Sequence, residues 1–182
     1  MTLGSPVADK LVLDASAAIA IARTEPSAPA IRTIIERHLM ADGEIEVPDH
    51  FWLEFINVLV RRYGHTWEEV VEALRELDEV GIRTAAIDRP LLLLALGPMR
   101  TDALSAYDAV YVALAEIIDG RLLTLDERLA TAAGDRAVPL PGRRPTRLTE
   151  TPATYESAAA VTALPVFGTY LAELRRRVEA TP

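Results

Sequence analysis

The chain has 182 residues, half of them apolar and a quarter charged, with no cysteine and a formal net charge of −8. Such a chain forms about one domain, and the absence of cysteine excludes disulfides, thiolate zinc sites and thiol nucleophiles and favours an intracellular protein. The N-terminus MTLGSPVADK lacks the apolar segment of a signal peptide, and unbroken apolar runs such as Leu91 to Leu96 are far below the roughly 20 residues that cross a bilayer. We therefore expect a cytoplasmic protein with no membrane segment.

The charge is divided unevenly along the chain. Residues 1–135 carry 12 basic and 23 acidic side chains, a net charge of −11, whereas residues 136–182 carry 7 basic and 4 acidic side chains, a net charge of +3. The acidic part excludes nucleic-acid binding by bulk electrostatics alone. A polyanionic substrate would need metal ions or a local arginine patch.

Hydrophobic periodicity predicts strands that alternate with helices. In chain order the pattern gives a strand and helix from 11, a helix at 29–39, a strand at 44–48, helices at 49–64 and 66–81, a strand at 82–88, helices at 89–99 and 104–120, a strand at 121–126, a helix at 127–133 and a candidate last strand at 137–140. This alternation predicts an α/β fold, with a parallel sheet covered by helices on both faces.

The composition changes after Leu140. PLPGRRPTRLTETPATYES is rich in Pro, Thr and Arg and predicts an extended arm, and a later run predicts an amphipathic terminal helix. Its apolar face consists of Phe167, Tyr170, Leu171, Leu174 and Val178. We therefore predict a domain of residues 1–140 and a C-terminal extension, residues 141–182, that packs on the domain or on a partner.

Four carboxylates lie in apolar surroundings. Asp14 and Asp126 end apolar strands, whereas Glu54 and Asp108 lie within apolar helices. The carboxyl ends of parallel strands meet at one edge of a sheet, and α/β proteins bind ligands there. We therefore expect Asp14 and Asp126 at that edge.

Each of these residues also has a structural interpretation. Asp14 and Asp126 precede predicted helices and can act as their N-caps. Glu54 can face solvent or pair with Arg61. Asp108 has no cation at helical spacing, so it must be exposed, protonated or bound to something positive, because an unpaired buried carboxylate is costly.

Four carboxylates at one edge would raise one another's pKa values unless a positive charge compensated them. Lys10, the single lysine, precedes the first strand, so the compensating charge is expected to be a divalent cation. Oxygen ligands favour Mg²⁺ or Mn²⁺ over zinc, and such ions allow an acidic pocket to act on phosphates. His50 and Glu54 have the spacing of a metal pair, but no second histidine partner supports zinc.

Other phosphate and nucleotide chemistries find no support in the sequence. A receiver domain needs a lysine beyond a late strand, and a haloacid-dehalogenase-type phosphatase needs Asp-x-Asp where this chain has Asp14-Ala15-Ser16. The chain also lacks the G-x-S-x-G, Walker A and G-x-G-x-x-G patterns.

The order of these segments resembles the PIN-domain nucleases, and among them the VapC-type toxins of bacterial toxin–antitoxin pairs. The matching segments are LVLDASAAIA, WLEFINVLVRR, LSAYDAVYVALAE and LLTLDERLA, which span residues 11 to about 135. The resemblance implies a three-layer α/β/α sandwich with a central parallel sheet. It implies a catalytic, metal-binding quartet of Asp14, Glu54, Asp108 and Asp126 around Mg²⁺ or Mn²⁺. Supporting roles are expected for Ser16, Asn57 and Thr124.

The implied activity is a Mg²⁺-dependent endoribonuclease in which metal-activated water cleaves an RNA phosphodiester, and the implied role is that of a toxin that inhibits translation. The implied partners are RNA, a second copy of the chain in a homodimer, and a cognate antitoxin. Apolar residues of the 49–80 helices could receive the antitoxin or pack the core; they are Trp52, Trp67, Val70, Val71 and Leu74. A non-catalytic PIN-like interaction module and a housekeeping RNA-processing nuclease are the alternatives.

The extension at 141–182 exceeds what a minimal domain of this kind needs. It can pack on the body, reinforce a dimer, cover the groove or contact phosphates. The residues available for phosphate contact are Arg143, Arg144 and Arg147.

Overall fold

The structure is a computed structural model, and it describes residues 9–140. The predicted arm, the predicted terminal helix and the arginines of the C-terminal extension lie outside the described residues. The division between a domain of residues 1–140 and an extension of residues 141–182 therefore stays a prediction.

Four strands form one parallel sheet in the order β3-β2-β1-β4. The strands are β1 (Lys10–Leu13), β2 (Glu44–Pro48), β3 (Arg83–Ala85) and β4 (Arg121–Leu123). The helices are α1 (Ala15–Ala22), α2 (Ala28–Met40), α3 (His50–Asn57), α4 (Trp67–Val80), α5 (Arg89–Thr101), α6 (Ala106–Ile117) and α7 (Glu127–Ala133). The predicted α/β fold, a central parallel sheet flanked by helices, is confirmed.

Both ends of α4 lie within one residue of the predicted bounds, and local signals in the sequence fix them. The hydroxyl of Thr66 accepts the Glu69 N–H at 3.3 Å, and the Glu69 carboxylate accepts the Thr66 N–H at 2.7 Å, which completes the capping box. Gly81 ends the helix with φ +76°, a left-handed conformation that glycine adopts without strain.

Several predicted boundaries were wrong. The helix expected to run from 49 to 64 is α3 followed by a π-helical turn, Val58–Arg62. The strand expected at 82–88 has only three residues, because Asp88 already caps α5. The candidate last strand at 137–140 makes a single parallel bridge, between Ala137 and Leu122, since β4 itself is only three residues long.

The core includes the apolar residues of β1, and α1 and α6 are its most deeply buried helices. Seven consecutive residues of α6, 109–115, are buried, and Phe51, Phe55 and Leu59 pack against the same cluster from α3 and the turn that follows it. Among the predicted groove residues Val70 is buried in the core, whereas Trp52, Trp67, Val71 and Leu74 are half-buried. Within residues 9–140 we find no helix with the length and apolar character needed to cross a membrane.

Candidate active site

Asp14 follows β1 directly and is the N-cap of α1, with only 4% of its surface exposed. The Ser16 N–H donates to it at 3.3 Å, the Thr124 hydroxyl donates at 2.7 Å, and the Ser16 hydroxyl donates as well. All three donors reach the same oxygen, Oδ2. Among residues 9–140, no donor reaches Oδ1, so this oxygen keeps its lone pairs for another ligand.

The sheet register brings Thr124 to Asp14. β1 and β4 pair in parallel with Leu13 opposite Leu123, and the Asp14 N–H donates to the Leu123 carbonyl at 3.0 Å. Residues that follow the two strands therefore lie side by side, as we expected for the carboxyl edge of a parallel sheet.

Backbone groups hold the two hydroxyls in place. The Leu125 N–H donates to the Ser16 hydroxyl, and the Asp126 N–H donates to the Thr124 hydroxyl, both at 2.9 Å. Ser16 and Thr124 are buried as well. The structure thus places both predicted supporting hydroxyls on Asp14, while their role in catalysis stays a prediction.

The negative charge of Asp14 is not compensated within the described part of the chain. Burial raises the pKa of Asp14 from 3.8 to about 6, hydrogen bonds from Ser16 and Thr124 oppose this increase, and the charge of Asp108 adds to it. No basic side chain among residues 9–140 forms an ion pair with Asp14.

Asp108 lies in the first turn of α6 and is half-buried. Its carboxylate accepts the Ser105 hydroxyl at 2.8 Å, and its N–H donates to the same hydroxyl at 3.1 Å. The prediction that the helix begins at 104 was wrong, because Ser105 caps the helix. The signal was present as Ser-x-x-Asp in SAYD, and a carboxylate is favourable in a first turn because of the helix dipole.

Glu54 joins α3 to α6. It is half-buried, and its carboxylate accepts the Tyr111 hydroxyl at 3.1 Å. Burial raises the pKa of Tyr111 well above its usual value, and the negative charges of Asp14 and Glu54 raise it further, so the phenol keeps its proton and acts as a donor. Tyr111 was not among the predicted site residues; its spacing of three residues from Asp108, on the same helix face, was the available signal.

Asp126 is the N-cap of α7. Its Oδ1 accepts the N–H groups of Arg128 at 2.7 Å and Leu129 at 3.0 Å, which confirms the capping interpretation for Asp126 as the Ser16 N–H does for Asp14. Asn57 is exposed at the end of α3, and its predicted supporting role stays a prediction.

The donors at this edge are carboxylate, hydroxyl and phenol oxygens, the chemistry that hard divalent cations prefer. Within residues 9–140 no three carboxylate or imidazole groups lie close enough together to hold one metal ion. The charge of Asp108 acts on Asp14, and among residues 9–140 no hydrogen-bond donor reaches Asp14 Oδ1. The donor chemistry and the uncompensated charge therefore fit Mg²⁺ or Mn²⁺.

Comparison with known proteins shows the family to which the chain belongs. The sequence profile of the PIN domain matches residues 11–135, more than half of the chain. The chain belongs to the PIN domain family. Over 128 residues this PIN domain is 38% identical to Ribonuclease VapC3 of Mycobacterium tuberculosis (strain CDC 1551 / Oshkosh), an alignment that covers 68% of this chain and 88% of that protein. The predicted relation to VapC-type PIN proteins is confirmed.

Solved structures of low sequence identity share the fold. A crystal structure of Mycobacterium tuberculosis VapC20, a sarcin–ricin loop cleaving toxin, superposes with a TM-score of 0.55 at 19% identity and covers 71% of this chain and 99% of that one. A toxin–antitoxin complex from Klebsiella pneumoniae gives 0.51 at 15% identity, with 71% and 96% covered.

Proposed function

We propose that this PIN domain is a Mg²⁺- or Mn²⁺-dependent endoribonuclease and the toxin of a toxin–antitoxin pair that inhibits translation. The observation that carries the proposal is Asp14, a buried carboxylate with a raised pKa, three donors on one oxygen and none on the other among residues 9–140. A cation on Oδ1 would supply the missing positive charge. The relation to proteins named ribonucleases, one of them matched over 88% of its length, supports the same activity.

The four carboxylates of the predicted quartet would together hold the cation. Asp14 and Asp108 would be its ligands, completed by Glu54 and Asp126. When bound, the cation would supply Lewis acidity for hydrolysis of an RNA phosphodiester and neutralise the phosphate charge that these carboxylates would otherwise repel.

The neighbours of the carboxylates fix their orientation. Ser16 and Thr124 hold Oδ2 of Asp14 so that Oδ1 is presented to the ion, and Ser105 fixes the Asp108 carboxylate against the first turn of α6. Tyr111 keeps its proton and holds Glu54 between α3 and α6. Such a fixed arrangement lowers the cost of reorganisation during the reaction.

The proposed partners follow from the same relation. RNA is the substrate, and a cognate antitoxin is supported by the fold likeness to a toxin–antitoxin complex. The half-buried Trp52 and Leu74 on the helices before and after the π-helical turn are candidates for its apolar contact. A homodimer is proposed on the family relation alone.

The activity is tested by incubating purified protein with fluorescent RNA in the presence of Mg²⁺, Mn²⁺ or EDTA. We expect metal-dependent cleavage that Asp14→Asn and Asp108→Asn each reduce by at least about 100-fold, because each removes a ligand of the catalytic ion. Asp119→Asn is the matched control, since it also removes one negative charge but pairs with Arg136 at the other end of α6.

Two outcomes would contradict the proposal. Equal cleavage by wild type and both site variants would indicate a contaminating nuclease. Metal binding without cleavage of any RNA, with both variants folded, would favour the non-catalytic interaction module. The toxin role is tested separately, by induced expression in bacteria with pulse labelling of new protein: wild type should stop translation and Asp108→Asn should not.

A further inference from the structure

Three aromatic rings form a row at the edge that carries the carboxylates. Tyr111 is buried at 1% exposure, and the imidazole of His50 packs edge-on against it with ring centroids 5.0 Å apart. Tyr107 lies 5.7 Å from the same imidazole at an angle of 55°, and 64% of its surface is exposed. The row therefore leads from the core to the surface and ends in an accessible aromatic side chain.

The position of Tyr107 ties the end of this row to the proposed reaction. It precedes Asp108 in the first turn of α6, and His50 begins α3, so the contact between their rings bridges the two helices that carry Asp108 and Glu54. A ring that already packs on one neighbour loses less conformational entropy when it binds a second one.

His50 is suited to support an uncharged platform. Burial lowers the pKa of His50, and the backbone of Tyr107 and the carboxylates of Asp108 and Asp49 oppose this only in part. The neutral imidazole offers a flat surface to the tyrosine ring. The rings do not add a cation to the edge.

Because residues 1–135 are strongly acidic, an RNA contact that needs no positive charge is important at this edge of the sheet. Residues 1–135 carry a net charge of −11, which opposes the binding of RNA by bulk electrostatics. Arg128, in the first turn of α7, donates a guanidinium N–H to the carbonyl oxygen of Ala103. Aromatic stacking on a nucleobase needs no positive charge and tolerates any base.

We propose that Tyr107 is the stacking platform for a nucleobase of single-stranded RNA beside the phosphate that is cleaved. This inference rests on the proposed ribonuclease function, since the Tyr107 ring contacts His50, on which the charge of Asp108 also acts. An exposed tyrosine can also anchor a protein partner, but this shared contact with His50 favours the substrate. Stacking on Tyr107 would hold the unpaired base without contacting its Watson–Crick edge.

The first test uses steady-state cleavage of a single-stranded oligoribonucleotide by three variants. Tyr107→Ala is expected to raise KM about 5- to 100-fold, with kcat within about threefold of wild type, because stacking of this size acts on ground state and transition state alike. Tyr107→Phe keeps the ring and is expected to keep KM. Tyr63→Ala is the matched control, since that tyrosine stacks on Arg23 and ends the π-helical turn of a different helix.

The second test does not depend on cleavage. An oligoribonucleotide that contains 2-aminopurine should lose fluorescence when its base stacks on wild type or Tyr107→Phe, and it should not on Tyr107→Ala. Quenching without any cleavage would retain the platform and refute the proposed nuclease, so the two failures are distinguishable.

A thermal melt separates a binding defect from unfolding, and Tyr107→Leu replaces the alanine variant if that does not fold. KM and quenching within twofold of wild type for the non-aromatic variant would overturn the proposal. Loss of binding to an antitoxin or to a second copy of the chain, with RNA binding intact, would also overturn it and assign Tyr107 to a protein interface.

Discussion

Asp14→Asn is expected to stabilise the metal-free protein at neutral pH, although it alters a buried side chain with three hydrogen-bond donors. Burial raises the pKa of Asp14 from 3.8 to about 6. The folded protein therefore binds this proton more tightly than the unfolded chain does. The contribution of Asp14 to stability is complete below pH 3.8 and is lost as the pH rises through about 6.

The magnitude follows from the two pKa values. Their difference, at about 1.4 kcal/mol per pH unit, corresponds to a loss of about 3 kcal/mol between pH 3.8 and neutral pH. For a chain of this size that energy amounts to about 6–12 °C in Tm. Asparagine carries no charge at any pH and keeps an oxygen for the donors on Ser16 and Thr124, so the variant does not incur this loss.

The assay is calorimetric unfolding in EDTA between pH 4 and pH 8. The Tm of Asp14→Asn minus that of wild type should increase across this range, centred near pH 6. Asp88→Asn is the control for exchanging a helix-capping aspartate, because Asp88 caps α5 through the Leu91 N–H at 3.0 Å. A Tm difference that does not change with pH, or that is equal in both variants, would refute the reasoning. Added Mg²⁺ should stabilise wild type at pH 7.5 and leave Asp14→Asn unchanged.

Three further substitutions test the network around the carboxylates. Thr124→Val should lower the free energy of unfolding by about 1–3 kcal/mol, because it removes a donor to Asp14 and the acceptor of a backbone N–H. Urea unfolding measures this free energy, and an unchanged value would contradict the hydrogen bonds. Tyr111→Phe should cost about 1 kcal/mol in the same assay, for one lost hydrogen bond. Arg128→Ala should weaken Mn²⁺ binding in titration calorimetry, because it releases the loop before α6. Arg136→Ala removes a hydrogen bond to a carbonyl at the far end of α6 and should leave Mn²⁺ binding unchanged. Equal effects of the two substitutions would speak against a positioning role for Arg128.

The placement of Asp14 and Asp126 could be predicted because it depends on strand direction alone. Every strand here runs parallel, so residues that follow neighbouring strands share one edge whatever the register. The ends of α4 could be predicted for a similar reason, since Thr66, Glu69 and Gly81 act within one helix. Patterns that depend on adjacent residues are visible in the sequence.

Contacts between distant segments could not be predicted. The Thr124 hydroxyl meets Asp14 across 110 positions, and Tyr111 meets Glu54 across 57, so each pair depends on sheet register and helix packing. The start of α6 was misjudged because apolar periodicity continues through Leu104, whereas the Ser105 hydroxyl decides where the helix begins. The hydrogen bond from the Asp108 N–H to the Ser105 hydroxyl fixed the start of the helix, although the hydrophobic pattern continued upstream.

The two hydroxyls beside Asp14 have few directions in which their protons can point. Each accepts a backbone N–H, from Leu125 and from Asp126, and each donates to Asp14 Oδ2. The two hydroxyl oxygens also lie 3.4 Å apart, within reach of each other. Oδ2 is thus engaged by several donors, whereas Oδ1 receives none among residues 9–140. We therefore expect a proton in acid and the proposed cation to compete for Oδ1.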